Sequence, residues 1–566
     1  MRRRLFYRVF VIVTAAFCVV SSRAADKPNI ILITLDSTRA DRMGFLGSRA
    51  KLTPNLDGLS QEGIIFQRAY AQAPLTVVSH ATILSGTYPQ THHASELASS
   101  LPAGLPYLPD LLHKSGYRTA AFVGSVSLDP HNGLAPGLDR GFDTYDAGFR
   151  QIKSPNAIVE RRGDLVVARA TKWLSSNARV PFFIWVHIVD AHVPYATPYD
   201  RAVASADAAA GKLFSALRTA KLWDNSVVLV TGDHGESLGG HGEQTHGVFL
   251  YDETIHVPLL LKMPHDQLAG KQASGRVRLV DIAPTILEAA GLPVPPQMQG
   301  QSLLRIAKNN SQGDQPVYSR SDFPQQAFGW SALESWRAGK YLYIRAPKPE
   351  LYDLVADPGA TRNLAQSSKA TLSTLAAQLE SFDSHFGNKG GEPEGPGLSS
   401  SEVQKLASLG YIGIQKSAHT TTAVTGIDPK DGIATANQVM DAIRSVAENA
   451  PRKAEPVLAG IIAKNSDMYL AQYGLGLALA QQQQYAKAIE HLHKAIELQP
   501  DSAWAHYEMG ASLIKTGDYK TAAVHLELAV ARLPECSAAH LLLAESYQHL
   551  GRSKEANSER KMSTAH

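Results

Sequence analysis

The sequence predicts an α/β unit followed by an all-α repeat unit. Two apolar, β-branched runs, 28–35 and 227–230, have the composition of buried strands, and an aspartate follows each of them. From about residue 431 onward, a helical pattern recurs with a period of 34 residues. At 566 residues the chain is too long for one hydrophobic core, so two or more domains are expected.

The first 24 residues have the pattern of an export signal. Four arginines precede an apolar run from Val9 to Val20, and Ser22-Arg23-Ala24 offers small residues at the cleavage positions. We therefore expect residues 1–24 to be a signal peptide and the protein to be periplasmic or extracellular. An uncleaved N-terminal membrane anchor is the alternative. No later segment is long and apolar enough to cross a membrane.

The charge balance argues against a nucleic-acid partner. Residues 1–24 carry five arginines and no acid, so their removal changes the formal net charge from +3 to −2. Cleavage also leaves Cys536 as the single cysteine, which excludes an internal disulfide. Stability is therefore expected to come from core burial and bound metal.

Candidate metal ligands follow the two predicted strands. Asp233 and His234 follow the run 227–230 after Thr231 and Gly232, and Asp36 directly follows the first strand. Carboxylate and imidazole groups suit a divalent cation such as Mn²⁺, Ca²⁺, Mg²⁺ or Zn²⁺, with one or two ions possible. A polar loop rich in histidine is the alternative for the second segment, and a helix N-cap is the alternative for Asp36.

A third segment, 73–86, is a proline-marked loop that leads into a short helix. Its first hydroxyl, on Thr76, is expected near the unpaired N–H groups of the helix start, which favour an anion.

Several blocks, taken in order and spacing, resemble the sulfatase family of the alkaline-phosphatase-like superfamily. They cover about residues 27–415 and comprise the strand ending at Asp36, 76–86, 182–195, 231–236, 251–258, 278–287, 350–354, Asp357-Pro358 and Asn363-Leu364. The resemblance implies a catalytic domain at 27–385, with a mostly parallel central sheet flanked by helices. It also implies a smaller sheet-and-helix subdomain at 316–385.

By position in this resemblance, Asp36, Asp233 and His234 would be metal ligands, and Thr76 would be the metal-bound nucleophile. Sulfatases place an oxidisable Cys or Ser there, in a frame that also contains Pro and Arg, and convert it to formylglycine. The window 76–80 reads Thr-Val-Val-Ser-His, and threonine cannot give that aldehyde. Thr76 instead resembles the nucleophile of the phosphodiesterase, phosphonate-hydrolase and phosphoglycerol-transferase branches of the superfamily.

Other polar residues of the blocks are candidates for substrate binding or proton transfer. His192 and His246 stand where sulfatases keep a substrate-binding His and Lys, and either could protonate the leaving oxygen. Substrate binding is also expected of His80, His187 and Arg39, with a hydrogen-bonded structural role as the alternative, and His241 has no assigned role. Ser79 is the rival nucleophile. Ser37 stands where sulfatases usually have a second acid.

The C-terminal part resembles tetratricopeptide repeats. Tyr473, Gly476 and Tyr485 recur 34 residues later as tyrosine, glycine and tyrosine. We expect a linker at 386–430, with a short helix at 403–414, and then a solenoid at 431–560. Its expected repeats are a degenerate 435–466, then 468–501, 502–535 and 536–560. Such a solenoid binds a protein or peptide partner.

The sequence therefore predicts an exported, metal-dependent hydrolase or transferase that acts on anionic phosphoric or sulfuric esters. Phosphoric diesters or phosphonates fit a threonine nucleophile better than sulfate esters do. A sulfatase proper is one alternative. A catalytically degenerate protein that acts as a repeat scaffold is the other.

Overall fold

The computed structural model describes residues 27–95, 101–130, 135–147, 160–192, 198–308, 314–386, 406, 409, 426–534 and 536–565. The predicted signal peptide and almost all of the predicted linker, with its short helix, lie outside these residues. Among the described helices, none combines the length and apolar character that a bilayer span requires.

A nine-stranded sheet forms the centre of the first unit. Its strands are β1 Asn29–Leu35, β2 Ile64–Tyr70, β3 Arg118–Phe122, β4 Thr144–Asp146, β5 Phe182–Ile188, β6 Ser226–Gly232, β7 His256–Val257, β8 Leu259–Lys262 and β9 Lys271–Arg278. The order is β4-β3-β5-β1-β6-β8-β2-β7, with β9 also beside β2. The five strands from β4 to β6 pair in parallel, whereas β8 and β7 run antiparallel to their neighbours. The mostly parallel sheet is thus confirmed.

Helices cover both faces of this sheet. Ile31 and Ile33 of β1 face one apolar cluster, and Ile30 and Leu32 face the other. Because both faces are buried, β1 reads as a continuous apolar run rather than an alternating one. The helices are α1 Pro54–Glu62, α2 Thr76–Ser85, α3 Pro89–His92, α4 Leu108–Lys114, α5 Gly163–Asn177, α6 Tyr199–Thr219, α7 Asp252–Ile255, α8 Ile282–Ala289, α9 Leu303–Lys308 and α10 Phe323–Phe328.

The smaller subdomain is an antiparallel four-stranded sheet covered by one long helix. Its strands are β10 Val317–Ser321, β11 Leu333–Ala338, β12 Tyr341–Arg345 and β13 Glu350–Asp353, and its helix is α11 Lys369–Phe386. Leu375 and Leu379 of α11 pack against Tyr318 and Trp336 of the sheet. The predicted sheet-and-helix subdomain is therefore present.

The C-terminal part is all-α, as the 34-residue period predicts. Its helices pair in sequence as α12 Pro429–Ala447 with α13 Pro451–Ile462, α14 Tyr469–Gln481 with α15 Tyr485–Leu498, α16 Ala503–Thr516 with α17 Tyr519–Arg532, and α18 Ser537–His549 with α19 Ser553–Ala565. The repeating glycines lie where paired helices cross. A Cβ on Gly510 would lie 2.5 Å from Leu526 Cγ, and one on Gly476 would lie 2.7 Å from Leu492 Cγ.

The solenoid packs directly on the first unit. A Cβ on Gly432 of α12 would lie 2.4 Å from the Trp330 ring, so this glycine permits close contact. Gln499, after α15, donates a hydrogen bond to the Gln326 carbonyl of α10. One continuous apolar cluster includes Trp330 of the first unit and Ala436 of α12. The solenoid and the first unit therefore share a core.

Two glycine substitutions in the solenoid are expected to have opposite effects. Gly510→Ala would force a methyl group against the buried Leu526, and this overpacking should lower the free energy of unfolding by about 1–3 kcal/mol. In contrast, Gly460→Ala in α13 meets nothing within 4 Å and should gain about 0.5–1 kcal/mol through helix propensity. Both changes in the free energy of unfolding are measured by urea titration, with the helical circular dichroism signal as the probe. Equal stability of the two variants would contradict the close helix crossing at Gly510.

Candidate metal centre

The register of the parallel strands brings the two predicted aspartates together. Leu35, at the end of β1, pairs with Ile188 of β5 on one side and with Gly232 of β6 on the other. The residues that follow, Asp36 and Asp233, therefore leave the sheet side by side. Both are fully buried. The carboxyl edge of an open α/β sheet is where such folds bind ligands.

His234 has the proton arrangement that a metal ligand needs. Its Nδ1–H donates to the Gly235 carbonyl at 2.8 Å, which leaves the lone pair on Nε2. That Nε2 lies 3.6 Å from Asp36 Oδ1 and 3.6 Å from Asp233 Oδ2. Burial lowers the pKa of His234 well below its ordinary value, so the ring is neutral.

The two carboxylates create a strong demand for positive charge. Burial opposes ionisation of Asp36, but His192, His187 and His234 together hold its pKa well below the usual range. Burial and the Asp36 charge raise the pKa of Asp233 well above its usual value. Oδ2 of each aspartate is buried without a hydrogen-bond partner. A divalent cation fits this set, because it satisfies both orphaned oxygens and allows both acids to ionise.

Ser37 supports both carboxylates from the position where sulfatases usually have a second acid. Its hydroxyl donates to Asp36 Oδ1 at 3.1 Å, and its backbone N–H donates to Asp233 Oδ1 at 3.1 Å. The His234 backbone N–H donates to the same Asp233 oxygen at 2.7 Å. These bonds orient one oxygen of each aspartate and leave the other for a ligand.

His80 and His187 lie beside Asp233, but their nitrogens are engaged differently. His80 Nδ1–H donates to the Thr76 carbonyl at 2.7 Å, and its Nε2 accepts from the Thr34 hydroxyl at 2.9 Å. His187 Nδ1 accepts from the Gly124 N–H at 3.3 Å, so its Nε2 carries the proton. That Nε2 lies 3.2 Å from Asp36 Oδ2 but does not hydrogen-bond to it. Neither ring offers a free lone pair, so both support the site rather than complete a second metal set.

Burial lowers the pKa of His80 to about 3, so the ring is neutral. Its two hydrogen bonds join α2 to β1, and substrate binding by His80 stays a prediction.

Thr76 is the first residue of α2 and points at the ligand set. Its Oγ lies 3.1 Å from His234 Nε2, and the residue is almost fully buried. Ser79, one turn later, donates its hydroxyl to the Ala73 carbonyl at 2.8 Å. Of the two candidate nucleophiles, the hydroxyl directed at the metal ligands is therefore that of Thr76. Its role as nucleophile stays a prediction.

Two histidine–carboxylate pairs lie close to the candidate metal ligands Asp36, Asp233 and His234. His192 Nδ1–H donates to Glu160 at 2.5 Å, and His246 Nδ1 lies 3.3 Å from Glu236. The His246 ring is centred 4.4 Å from that of His234 and 5.3 Å from that of His192. The structure therefore brings together the two histidines that the sequence proposed for substrate binding or proton transfer.

The sequence analysis missed both partner acids. Glu236 stands in the block 231–236 but received no role. Its carboxylate is fully buried, which indicates a function, but this burial is visible only in the structure. Glu160 lies alone in the sequence, and nothing near it indicates a function. Burial lowers the pKa of His192, but Asp36 and Glu160 outweigh it and raise the value to about 10.

Arg39 holds the backbone of the loop that carries Glu236. Its Nη1 donates to the carbonyls of Glu236 and Ser237 at 2.8 and 3.3 Å. Its Nε and Nη2 donate to Asp41 at 2.9 and 2.7 Å. Each guanidinium nitrogen therefore contacts protein, and substrate binding by Arg39 stays a prediction.

Models of known families match both parts of the chain. A sulfatase family model matches residues 28–292, and a model described as N-sulphoglucosamine sulphohydrolase, C-terminal, matches residues 241–384. Residues 28–292 form a sulfatase family domain. This part of the chain is a hydrolase of ester bonds. Models of tetratricopeptide repeats match residues 476–517 and 507–557, which confirms the family of the solenoid.

Individual relatives are distant. The chain is 24% identical over 446 residues to arylsulfatase K of Bos taurus, across 63% of this chain and 82% of that protein. It is 27% identical over 420 residues to an ulvan-active sulfatase of Formosa agariphila, across 62% and 80% of the two chains. The crystal structure of a phosphonate monoester hydrolase of Agrobacterium radiobacter has a TM-score of 0.54 at 21% identity, covering 63% of this chain and 96% of that one. This last likeness shows the fold.

Replacing Asp233 by asparagine is expected to remove bound metal while keeping the fold. The amide has the same shape but no charge, so we expect a loss of divalent-cation affinity of about 10–100-fold or more. Titration of metal-depleted protein with Mn²⁺, with bound metal measured after gel filtration, tests this. Asp200→Asn, at an exposed carboxylate that pairs with Arg42, is the matched control. Equal Mn²⁺ binding by both variants would exclude Asp233 as a ligand.

Proposed function

We propose that this sulfatase-family chain is a metal-dependent hydrolase or transferase of phosphoric diesters or phosphonates that uses Thr76 as its nucleophile. The observation that carries the proposal is the Thr76 Oγ, which lies 3.1 Å from Nε2 of His234, itself 3.6 Å from both Asp36 and Asp233. Threonine cannot become formylglycine, so attack has to come from its hydroxyl oxygen. A sulfate ester substrate is the alternative.

One divalent cation would be held by Asp36, Asp233 and His234, since their ligand atoms lie within 4.8 Å of one another. Such an ion lowers the pKa of a hydroxyl beside it and neutralises charge on the ester oxygens. The tautomers of His80 and His187 support one ion rather than two, because neither ring has a free lone pair. The hard carboxylates and single imidazole suit Mn²⁺, Mg²⁺, Ca²⁺ or Zn²⁺.

The reaction would have two halves. The Thr76 Oγ attacks phosphorus and its proton passes to water, while the bond from phosphorus to the leaving oxygen breaks and that oxygen takes a proton from His192. Water, or an acceptor alcohol, then attacks the phosphorus of the Thr76 ester and gives its proton to the now neutral His192. The bond from phosphorus to Oγ breaks in this second half, and Oγ takes up a proton from water. Water gives hydrolysis and an alcohol gives transfer, so access of acceptors to the site decides between the two outcomes.

His192 is the better candidate for the acid that protonates the leaving oxygen. Its Nδ1–H is held by Glu160 at 2.5 Å, which directs Nε2 away from that carboxylate. The pKa near 10, set by Asp36 and Glu160 against burial, keeps the ring protonated at neutral pH in the metal-free protein. His246, held by Glu236, stands between His192 and His234 and is suited to bind a non-bridging oxygen of the ester.

Two further proposals concern the whole protein. The N-terminal sequence pattern supports export to the periplasm or the extracellular space. The tetratricopeptide repeats support binding of a protein or peptide partner.

Substrate class is tested with two chromogenic esters in the presence of Mn²⁺. We expect kcat/KM for bis(p-nitrophenyl) phosphate to exceed that for p-nitrophenyl sulfate. Thr76→Ala should lower diester turnover by about 10³-fold or more, as loss of a nucleophile does. Ser79→Ala is the matched control and should keep turnover, because its hydroxyl is bound to the Ala73 carbonyl. Faster sulfate turnover would contradict the proposal.

The role of His192 is tested with leaving groups of different basicity. A general acid matters most for a poor leaving group, so His192→Asn should lower phenyl ester turnover by about 10²–10⁴-fold. The loss for p-nitrophenyl esters should be much smaller. Glu160→Gln, which removes the charge that supports the imidazolium, should give the same trend more weakly. A loss that is the same for both leaving groups would assign His192 to binding instead.

A further inference from the structure

The loop that carries Glu236 and His246 is a short hairpin with an unusual tip. Ser237 N–H donates to the Thr245 carbonyl, and Gly239 N–H donates to the Glu243 carbonyl, both at 2.8 Å. Glu236 and His246 stand at its open end, where their side chains form the pair described above. The position of His246 relative to His234 therefore depends on how the hairpin, residues 237–245, is held.

The hairpin tip has a strained backbone. Leu238 and His241 have φ values of 55° and 51°, in the left-handed region that disfavours residues with a Cβ. Gly239 and Gly242, with φ values of 91° and 87°, share that region. Such strain persists only where surrounding contacts hold the backbone in place.

Those contacts come from other parts of the chain. The His241 ring stacks on Tyr251 with centroids 3.5 Å apart, and its Nε2–H donates to the Ala360 carbonyl at 3.2 Å. The third contact comes from the solenoid. Asn437 of α12 donates from Nδ2 to the Gly242 carbonyl at 2.8 Å, and its Oδ1 accepts from the Gln244 N–H at 3.2 Å.

The helix that bears Asn437 is itself firmly placed. Lys430 of α12 donates to Glu350 at 2.8 Å, and the same carboxylate accepts from the Tyr251 hydroxyl at 2.6 Å. Gly432 packs on Trp330, and Ile433 lies next to Gly242, one turn before Asn437. The solenoid therefore contacts the hairpin directly through Asn437. It also supports the hairpin indirectly, because Lys430 bonds to Glu350, Glu350 bonds to Tyr251, and the Tyr251 ring stacks on His241.

We propose that Asn437 is a positioning residue for the active site, through which the first repeat helix fixes the hairpin and thereby the Glu236–His246 pair. The amide is suited to this role because it presents one donor and one acceptor to two backbone groups of the same strained tip. The repeat unit is thus a structural part of the catalytic site as well as a candidate partner-binding unit. The catalytic half of this inference rests on the proposed function, whereas the effect on the hairpin does not.

The test compares Asn437→Ala and Asn437→Asp with Gln499→Ala in the full-length chain. Gln499 is the matched control, because its amide also joins the solenoid to the catalytic unit but contacts α10 rather than the hairpin. Asparagine to aspartate keeps the shape and the acceptor but places a carboxylate against the Gly242 carbonyl.

The first readout is hydrogen exchange. Asn437→Ala loses both bonds, and Asn437→Asp loses the bond to the Gly242 carbonyl and brings a carboxylate against it. Both variants should therefore speed exchange of the Ser237 and Gly239 amides by about 3–10-fold, and Gln499→Ala should leave it unchanged. Unchanged exchange in the Asn437 variants, or an equal rise in the control, would overturn the inference.

The second readout is kinetic and uses bis(p-nitrophenyl) phosphate with Mn²⁺. We expect kcat/KM to fall by about 3–10-fold in both Asn437 variants at unchanged bound Mn²⁺, and to stay constant in Gln499→Ala. Wild-type turnover in Asn437→Asp would show that Asn437 only fills space, which would overturn the inference. If the wild-type protein does not hydrolyse the diester, the proposed function fails, and the exchange result still decides the role of Asn437.

Discussion

The structure depends on one electrostatic constraint, the burial of two neighbouring carboxylates at the edge of a parallel sheet. The register of β1 against β6 fixes Asp36 beside Asp233, and no solvent reaches either side chain. Two buried carboxylates side by side cannot both stay ionised without a compensating cation. This requirement for positive charge accounts for what surrounds the two carboxylates. Histidines lie beside them, Ser37 hydrogen-bonds to both, and α2 begins next to them.

The histidines around the carboxylates divide into distinct roles by their hydrogen bonds. His234 has its Nδ1 proton on a backbone carbonyl, and its Nε2 lone pair faces the Thr76 hydroxyl and both aspartates. Both nitrogens of His80 are hydrogen-bonded, whereas His187 bonds through Nδ1 alone and has its Nε2 3.2 Å from Asp36. His192 and His246 each have a glutamate behind them. Residues of one chemical type are thus suited to different roles, as the proposed ligand, a structural bridge and the proposed proton donor, because their partners differ.

Much of this could be predicted from the sequence. Apolar runs that end in a carboxylate predict strand ends, and strand ends meet at one edge, so Asp36, Asp233 and His234 follow from local pattern. The repeat period likewise predicts the helix pairs. The pairing of His192 with Glu160 does not follow, because tertiary packing alone brings these residues together. Nor does the contact of Asn437 with Gly242 and Gln244, since a solenoid sequence does not indicate which of its helices meets the catalytic unit.

The contact between α12 and the hairpin has a consequence for the order of synthesis. Asn437 lies 195 residues after Gly242, so a growing chain can complete its large sheet and metal ligands long before the hairpin receives its last support. Domains generally fold as units from the N-terminus during synthesis. The catalytic unit would therefore stay immature until the first repeat has emerged and docked, and a chain truncated within the repeats' first helix would lack a fully ordered site.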